Sequence, residues 1–284
     1  MKRKQLNQKI IFTTFAAISI MMVSLVTLIL LFIIINGFTK ISWDFISKYP
    51  EEGMMKGGIY PAIIGTLMLI GGSCAIAFPA GILSGIYVNE YAEDNWFKKL
   101  VGMMTNNLAG VPSIVFGLFG LALFVNWMHF GVSLLSGCLT LAVLILPVII
   151  RTTEESLKTI DNTYRLASYA IGASKFTTIF RVVLPMAIPN IITGLIICVG
   201  RVAGETAPII FTVVAYYLPE VIISMNSPVM ALPYHLYVMS TSGIDLNASR
   251  DIAFGTALVL LMIILTLNLI AGVIRKLTAS KHKS

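Results

Sequence analysis

Long charge-free runs alternate with short polar stretches along this chain, and the alternation predicts helices that cross a lipid bilayer. Residues 10–39, 57–89 and 252–274 lack Asp, Glu, Lys and Arg, and each run exceeds the roughly 20 residues a helix needs to span the hydrocarbon core. The run 100–150 is too long for one crossing. Asn126, Trp127, Met128, His129, Phe130 and Gly131 offer a turn with an interfacial Trp inside it, so this run divides into two helices. Residues 189–218 form the sixth span, interrupted by Arg201 and Glu205. Residues 221–244 are also uncharged, but Asn226, Pro228, Pro233 and the cluster Tyr234, His235, Tyr237 mark a re-entrant or surface segment, about 219–250. The expected fold is an all-α membrane protein of six transmembrane helices. It forms a single domain over 1–284, with its helical core at about 10–275.

Composition agrees, with 57% apolar and only 12% charged residues, values of the membrane class. The net charge of +7 then reflects where the loops face. Six spans place the N-terminal tail, residues 90–99, residues 151–187 and the C-terminal tail on one side, with fifteen Lys and Arg. The other side has four: Lys40, Lys48, Lys56 and Arg250. The positive-inside rule makes the basic side, and with it both termini, cytoplasmic. A seventh span would send Arg275, Lys276, Lys281 and Lys283 outward. The basic N-terminus imitates a signal peptide, but its apolar run is too long and lacks a small-x-small cleavage site, so it is expected to stay as an anchor.

Several chemistries find no support. No basic run interleaved with aromatics points to nucleic acid. Cys74, Cys138 and Cys198 lie far apart in apolar segments, which fits packing and gives neither a disulfide framework nor a metal knuckle. His129, His235 and His282 have no partner at ligand spacing. Neither a metal nor a cofactor is expected. No Gly is followed by Lys, so the phosphate-cradling G-x-x-x-x-G-K-[ST] loop is absent and any ATP must be hydrolysed by a partner. For an intramembrane enzyme, Ser113 and His129 are the only suggestive residues, with no orienting acid in reach of the pattern.

Arg201 and Glu205 carry the candidate chemistry. Arginine keeps its proton, and a charge at the bilayer centre costs about 2.5–3.5 kcal/mol on the mildest scale. Spacing of i, i+4 puts both on one helical face, where they offset part of that cost for each other. A helix running outward from about Pro189 would place Arg201 ~18 Å along it, past the middle of a ~30 Å core. Gly200 and Gly204 repeat the same spacing and would let a neighbouring helix approach closely. Pro208 breaks the hydrogen-bond ladder one turn later. The functional reading is a substrate path; the structural reading is an ion pair that locks helix packing.

Residues 151–187 mix charges (Arg151, Glu154, Glu155, Lys158, Asp161, Arg165, Lys175, Arg181) with apolar positions, and read as a helix, a break at Gly172 and a second helix. Ala167, Ser168, Gly172, Val182, Leu184 and Pro185, with Ala173 beside the glycine, resemble the E-A-A-x-x-x-G-x(9)-I-x-L-P loop of ABC importer permeases. The resemblance implies a loop that docks on a cytoplasmic ATPase. Leu166 stands where the motif has Glu, and Arg165 and Glu155 are the candidate substitutes. Further fragments follow in order: Gly65-Thr66; Pro79-Ala80-Gly81; Tyr87-Val88-Asn89-Glu90-Tyr91; Gly110-Val111-Pro112-Ser113; Arg201-Val202-Ala203-Gly204-Glu205-Thr206-Ala207-Pro208; and Ala231-Leu232-Pro233. Together they resemble the A-type permease subunits of high-affinity phosphate ABC importers.

That resemblance implies a type I importer fold in a bacterial cytoplasmic membrane. The implied partners are a homologous C-type permease, two ATP-binding subunits and an extracytoplasmic phosphate-binding protein, all set in membrane lipid. Arg201, Glu205 and Thr206 become the candidate substrate pathway. A guanidinium presents a planar fork to two oxyanion oxygens. Glu205 would either accept the proton that phosphate carries and sulfate does not, or hold Arg201 as a structural partner. Another oxyanion (sulfate, tungstate, molybdate), an intramembrane enzyme and a regulatory membrane scaffold are the alternatives.

Overall fold

The fold, a computed structural model, describes residues 2–93, 96–108, 110–218, 220–221, 224–241 and 246–280. Its first helix, α1 (Lys2–Phe38), is apolar on every side, and its large side chains from Ile10 onward stay largely exposed. An all-round apolar helix with so little protein against it fits a lipid surround. Among the described residues, five helices are long and apolar enough to cross a membrane: Gln8–Phe38, Tyr60–Tyr91, Leu134–Lys158, Lys175–Gly204 and Ser249–Thr278.

The first of the two spans expected from residues 100–150 does not form as one long helix. Residues 100–127 fold as α4 (Trp96–Leu108) and α5 (Ser113–Gly120), the latter extended by a wide π-type turn, Leu121–Trp127. Between them Pro112 supplies no N–H and pushes Val111 out of helical conformation. Ser113–Trp127 is 15 residues long, about 22 Å at ~1.5 Å per residue and short of a ~30 Å core. The division within 100–150 falls where the sequence places it: after Trp127 the chain turns through His129 and Gly131, both with positive φ, and α6 starts at Leu134.

The helices alternate in direction. α1 ends beside a small cap built from α2 (Trp43–Ser47) and a hairpin pairing β1 (Pro50–Glu51) with β2 (Lys56–Gly57). α3 (Tyr60–Ile86, continued by a π-type turn, Tyr87–Tyr91) runs away from that hairpin. α5 returns, α6 (Leu134–Lys158) leaves, and α9 (Leu184–Gly204) returns. α12 (Leu246–Ser280) leaves again, with Lys40 paired to Asp251 at its hairpin end and Arg275 donating to Thr193 Oγ1 midway along α9. The opposite end of the bundle carries α7 (Asn162–Ala170) and α8 (Lys175–Thr178). Both described chain ends lie on that side.

α6 is the centre of the bundle, with Leu134, Leu141, Ile145 and Ile149 buried among α3, α5 and α9. Lipid is as apolar as these side chains, so association rests on close packing at small residues. A Cβ on Gly85 of α3 would lie 2.6 Å from Thr153 Cβ and 2.9 Å from the Ile150 carbonyl, and one on Gly194 of α9 would lie 2.6 Å from Thr152 Oγ1. Hydrogen here is the only side chain that fits.

The described residues between 213 and 231 enter the bundle as irregular backbone, which lipid permits only where protein satisfies its polar groups. Several of these residues find such partners. Ser133, Leu134 and Leu135, whose N–H groups open α6, donate to the carbonyls of Thr212, Ser227 and Met225, and Val214 pairs with Val229 in a parallel bridge. Leu232 N–H donates to Thr66 Oγ1 at 2.8 Å, fastening α11 (Leu232–Thr241) to α3. α11 is a short helix with Leu232, His235 and Val238 buried. The segment expected to be re-entrant or at the surface thus contains a short helix with one buried face.

Gly85→Ala is expected to destabilise the purified protein by about 1–3 kcal/mol through overpacking. Gly71→Ala on the same helix meets nothing within 4 Å and is expected to be neutral or stabilising. Thermal unfolding midpoints of the two variants in one detergent check this.

Candidate functional site

α9 extends further than the apolar run alone defines. The helix continues from α8 through a π-type turn, Ile179–Val183, into Leu184–Gly204, and it absorbs both Pro185 and Pro189. Arg201 sits in its last turn. Starting at Leu184 rather than Pro189 puts Arg201 about 26 Å along α9. Its depth is better read against α6. The two helices cross where Gly194 meets Thr152, and seven residues further, about 10 Å, Arg201 is level with the middle of α6.

Glu205 is not on the same helix. α9 ends at Gly204 and Glu205 is its C-cap, with extended backbone (φ −75°, ψ 117°). The cause is Pro208, which has no N–H for the Gly204 carbonyl and whose ring collides with it in a continuous helix. The break therefore comes at Glu205 and Thr206, ahead of the expected bend, and Pro208 opens α10 (Ala207–Thr212) at a first-turn position that suits proline. α10 packs against α5 where a Cβ on Gly117 would approach Pro208 Cα to 2.8 Å.

The pair still forms. Arg201 Nε donates to Glu205 Oε1 at 3.2 Å, with the side chains 33% and 15% exposed. That is one hydrogen bond from a five-donor group, and both terminal amines of the guanidinium have no partner among the described residues. Thr206, partly buried beside them, makes no side-chain cap. Asn190, Ile197 and Gly204 are exposed on α9, and Arg201 opens onto that same side. The expected close approach at Gly200 and Gly204 is not made by a helix of this chain: a Cβ on Gly200 would come no nearer than 3.9 Å to Asn268, and one on Gly204 meets nothing within 4 Å. The tight glycine of α9 is Gly194.

Residues 151–187 are helical almost throughout. α6 runs on to Lys158, α7 starts at an Asp161 cap, and the chain reverses at Gly172. The Thr163 backbone N–H and hydroxyl hold the Asp161 carboxyl below its usual range. Gly172 adopts φ +84°, with Ala173 N–H returning to the Ser168 carbonyl, the left-handed helix stop that glycine permits. Ser168 is buried and its hydroxyl meets Thr178 Oγ1 at 2.8 Å, joining α7 to α8. Ala167, Leu166 and Ile171 face outward, Ile171 86% exposed, while Leu184 and Pro185 start α9. The proposed substitutes for the missing Glu separate here. Arg165 is turned inward, its Nη2 2.6 Å from Glu90 Oε1, and does not present its charge at the surface. Glu155 is exposed but engaged by Arg151 Nε at 2.7 Å.

Residues 77–283 match the family described as "Binding-protein-dependent transport system inner membrane component". The chain belongs to that family. This permease is 32% identical over 266 residues to the "Probable ABC transporter permease protein YqgI" of Bacillus subtilis, covering 88% of this chain and 90% of the relative. It is 34% identical over 234 residues to the "Phosphate transport system permease protein PstA 1" of Mycobacterium tuberculosis, covering 82% and 74%. It is 31% identical over 242 residues to the PstA of Haemophilus influenzae, covering 85% and 84%. Among solved structures, an inward-facing conformation of the MetNI methionine ABC transporter superposes with a TM-score of 0.56 at 17% identity, over 78% of this chain and 94% of that chain. At that identity the likeness is one of fold, the type I importer fold. Membership implies partner permease and ATPase subunits and a binding protein, and a multi-pass place in the inner membrane.

The residues weighed for an enzyme do not converge. Ser113 and His129 lie at opposite ends of α5 and its extension, about 20 Å apart along the helix. The permease also contains a site that spacing alone does not expose, the Glu90–Arg165 pair, whose members are 75 residues apart. The signal for it was the charge at Glu90, closing an otherwise uncharged run.

The open side of α9 is directly testable. Gly204→Cys is expected to react with a maleimide in the detergent-solubilised permease, while Cys74, Cys138 and Cys198, all buried, stay unmodified; mass spectrometry of the labelled chain reads the difference.

Proposed function

We propose that this chain is a membrane-spanning permease subunit of an ATP-driven importer of inorganic phosphate. The observation that carries this reading is the guanidinium of Arg201, level with the middle of the bundle, held through one of its nitrogens and with its fork of terminal amines open. Such a fork suits two oxygens of an oxyanion, and two parallel charge-assisted bonds offset desolvation that a single contact does not. Relatives at 31–34% identity named as phosphate transport permeases support phosphate as that anion. Glu205, turned out of the helix beside Arg201, is placed to accept the proton of hydrogen phosphate, and Thr206 adds a hydroxyl.

In this reading the open side of α9, with Gly200 and Gly204 on it, is covered by a homologous C-type permease, and the anion passes between the two. The α7 end faces the cytoplasm. It collects the basic loops counted in the sequence, and the apolar surface of Leu166, Ile171 and Phe176 there docks on one of two ATP-binding subunits, apolar contact replacing the missing motif Glu. The hairpin end, with the short helix α11, faces outward toward a phosphate-binding protein.

Purification with the neighbouring subunits and phosphate uptake into vesicles test the reading. Arg201→Ala is expected to abolish uptake. Arg201→Lys, which keeps the charge but loses the fork, is expected to lower uptake about tenfold or more, the equivalent of one charge-assisted hydrogen bond of ~1.5–3 kcal/mol. Wild-type uptake by the Lys variant overturns the bidentate role, and stronger competition by sulfate or molybdate than by phosphate overturns the substrate. Separately, Ile171→Asp is expected to reduce co-purification of the ATPase without lowering the amount of permease in the membrane.

A further inference from the structure

The π-type turn Tyr87–Tyr91 that ends α3 aims Glu90 under α7, and the side chain there is 7% exposed. Arg165 of α7 meets it with Nη2 at 2.6 Å from Oε1 and Nε at 3.4 Å from Oε2, while Asn89 Nδ2 donates to Oε1 at 2.8 Å. The same guanidinium reaches a third element. Its Nη1 donates to the carbonyl of Ile160, just beyond α6, at 2.9 Å, and its Nη2 to the carbonyl of Leu157 in the last turn of α6 at 3.1 Å, which also accepts from the Ile160 N–H. One side chain of α7 thus holds the end of α3 and the end of α6 together.

Nearby contacts extend the same attachment. Ser168 joins α7 to Thr178, at the root of the helix that carries Arg201, and Lys175 lies over the Tyr91 ring at 4.9 Å. Exposed ion pairs elsewhere on the chain, such as Lys48 with Asp44, exchange readily with water. A largely buried pair held by several hydrogen bonds does not, because separating it leaves an uncompensated charge. Resting on the reading of α7 as the element that receives the ATPase, we infer that Glu90 and Arg165 are positioning residues: they lock α7 to α3 and α6, so that displacement of α7 moves the spanning helices with it instead of tilting α7 alone.

The test uses the complete complex in vesicles, measuring phosphate uptake and ATP hydrolysis together. Glu90→Gln and Arg165→Lys are expected to keep ATP hydrolysis within about twofold of the wild type while phosphate moved per ATP falls about tenfold, a coupling change of the size common between linked sites. An unchanged ratio in both variants overturns the inference. A second measurement leaves the pair intact: spin labels at Glu93 and Tyr164, both exposed, are expected to keep their separation within about 2 Å between nucleotide-free and ATP-trapped states, the scale of small helix shifts. A larger change overturns the inference whatever the variants do, and decides the matter if they fail to assemble. Absence of ATP-driven uptake in the wild-type complex would instead remove the importer reading itself.

Discussion

The bundle depends on how closely other helices can approach α6. In lipid there is no gain from hiding one apolar side chain behind another, so the helices are held by short-range packing and by polar ties. Gly81 and Gly85 of α3 admit Ile149 and Thr153, Gly194 of α9 admits Thr152, and Gly137 of α6 itself admits Val213. These contacts fix the height of α9 against α6, and through it the depth of Arg201. They also set the position of α10, which continues beyond the break and rests on α5 and α6.

That break determines the chemistry around Arg201. A continuous helix would stack Glu205 one turn above the guanidinium and present the pair as a closed unit. Pro208 ends the helix at Gly204, so Glu205 reaches back from extended backbone and makes one bond at 3.2 Å. A single, partly exposed contact contributes about 0–1 kcal/mol, less than the ~2.5–3.5 kcal/mol that a charge costs at the bilayer centre. The pair by itself does not account for the charge. The open side of α9 is where the remaining stabilisation has to come from, whether from water, a second permease or the passing anion.

The two ends of the bundle are organised differently. At the hairpin end, the carbonyls of Thr212, Met225 and Ser227 accept the N–H groups that open α6, and the Leu232 N–H is tied to Thr66 of α3. At the α7 end, side chains make the connections, above all Arg165, which satisfies carbonyls at the end of α6 and the carboxylate of Glu90. Backbone ties resist sliding at one end and charged ties resist tilting at the other.

The sequence by itself determined the membrane class, the long helices, the turn at residues 126–131, the glycine stop at Gly172 and the pairing of Arg201 with Glu205, because these follow from runs of apolar residues, from proline and glycine, and from the i, i+4 spacing of opposite charges. It could not determine where apolar runs break. Residues 100–127 and 189–218 are uncharged apart from Arg201 and Glu205, and hydropathy carries no information on whether a proline is absorbed, as at Pro185 and Pro189, or ends a helix, as at Pro208. Only the tertiary structure decided that Gly194 is the glycine at which α6 comes close to α9, since Gly194, Gly200 and Gly204 look alike until a neighbour is present. The same holds for Arg165: its inward turn depends on a carboxylate brought beside it by the packing of α3 on α6, a contact between distant segments that no local spacing records.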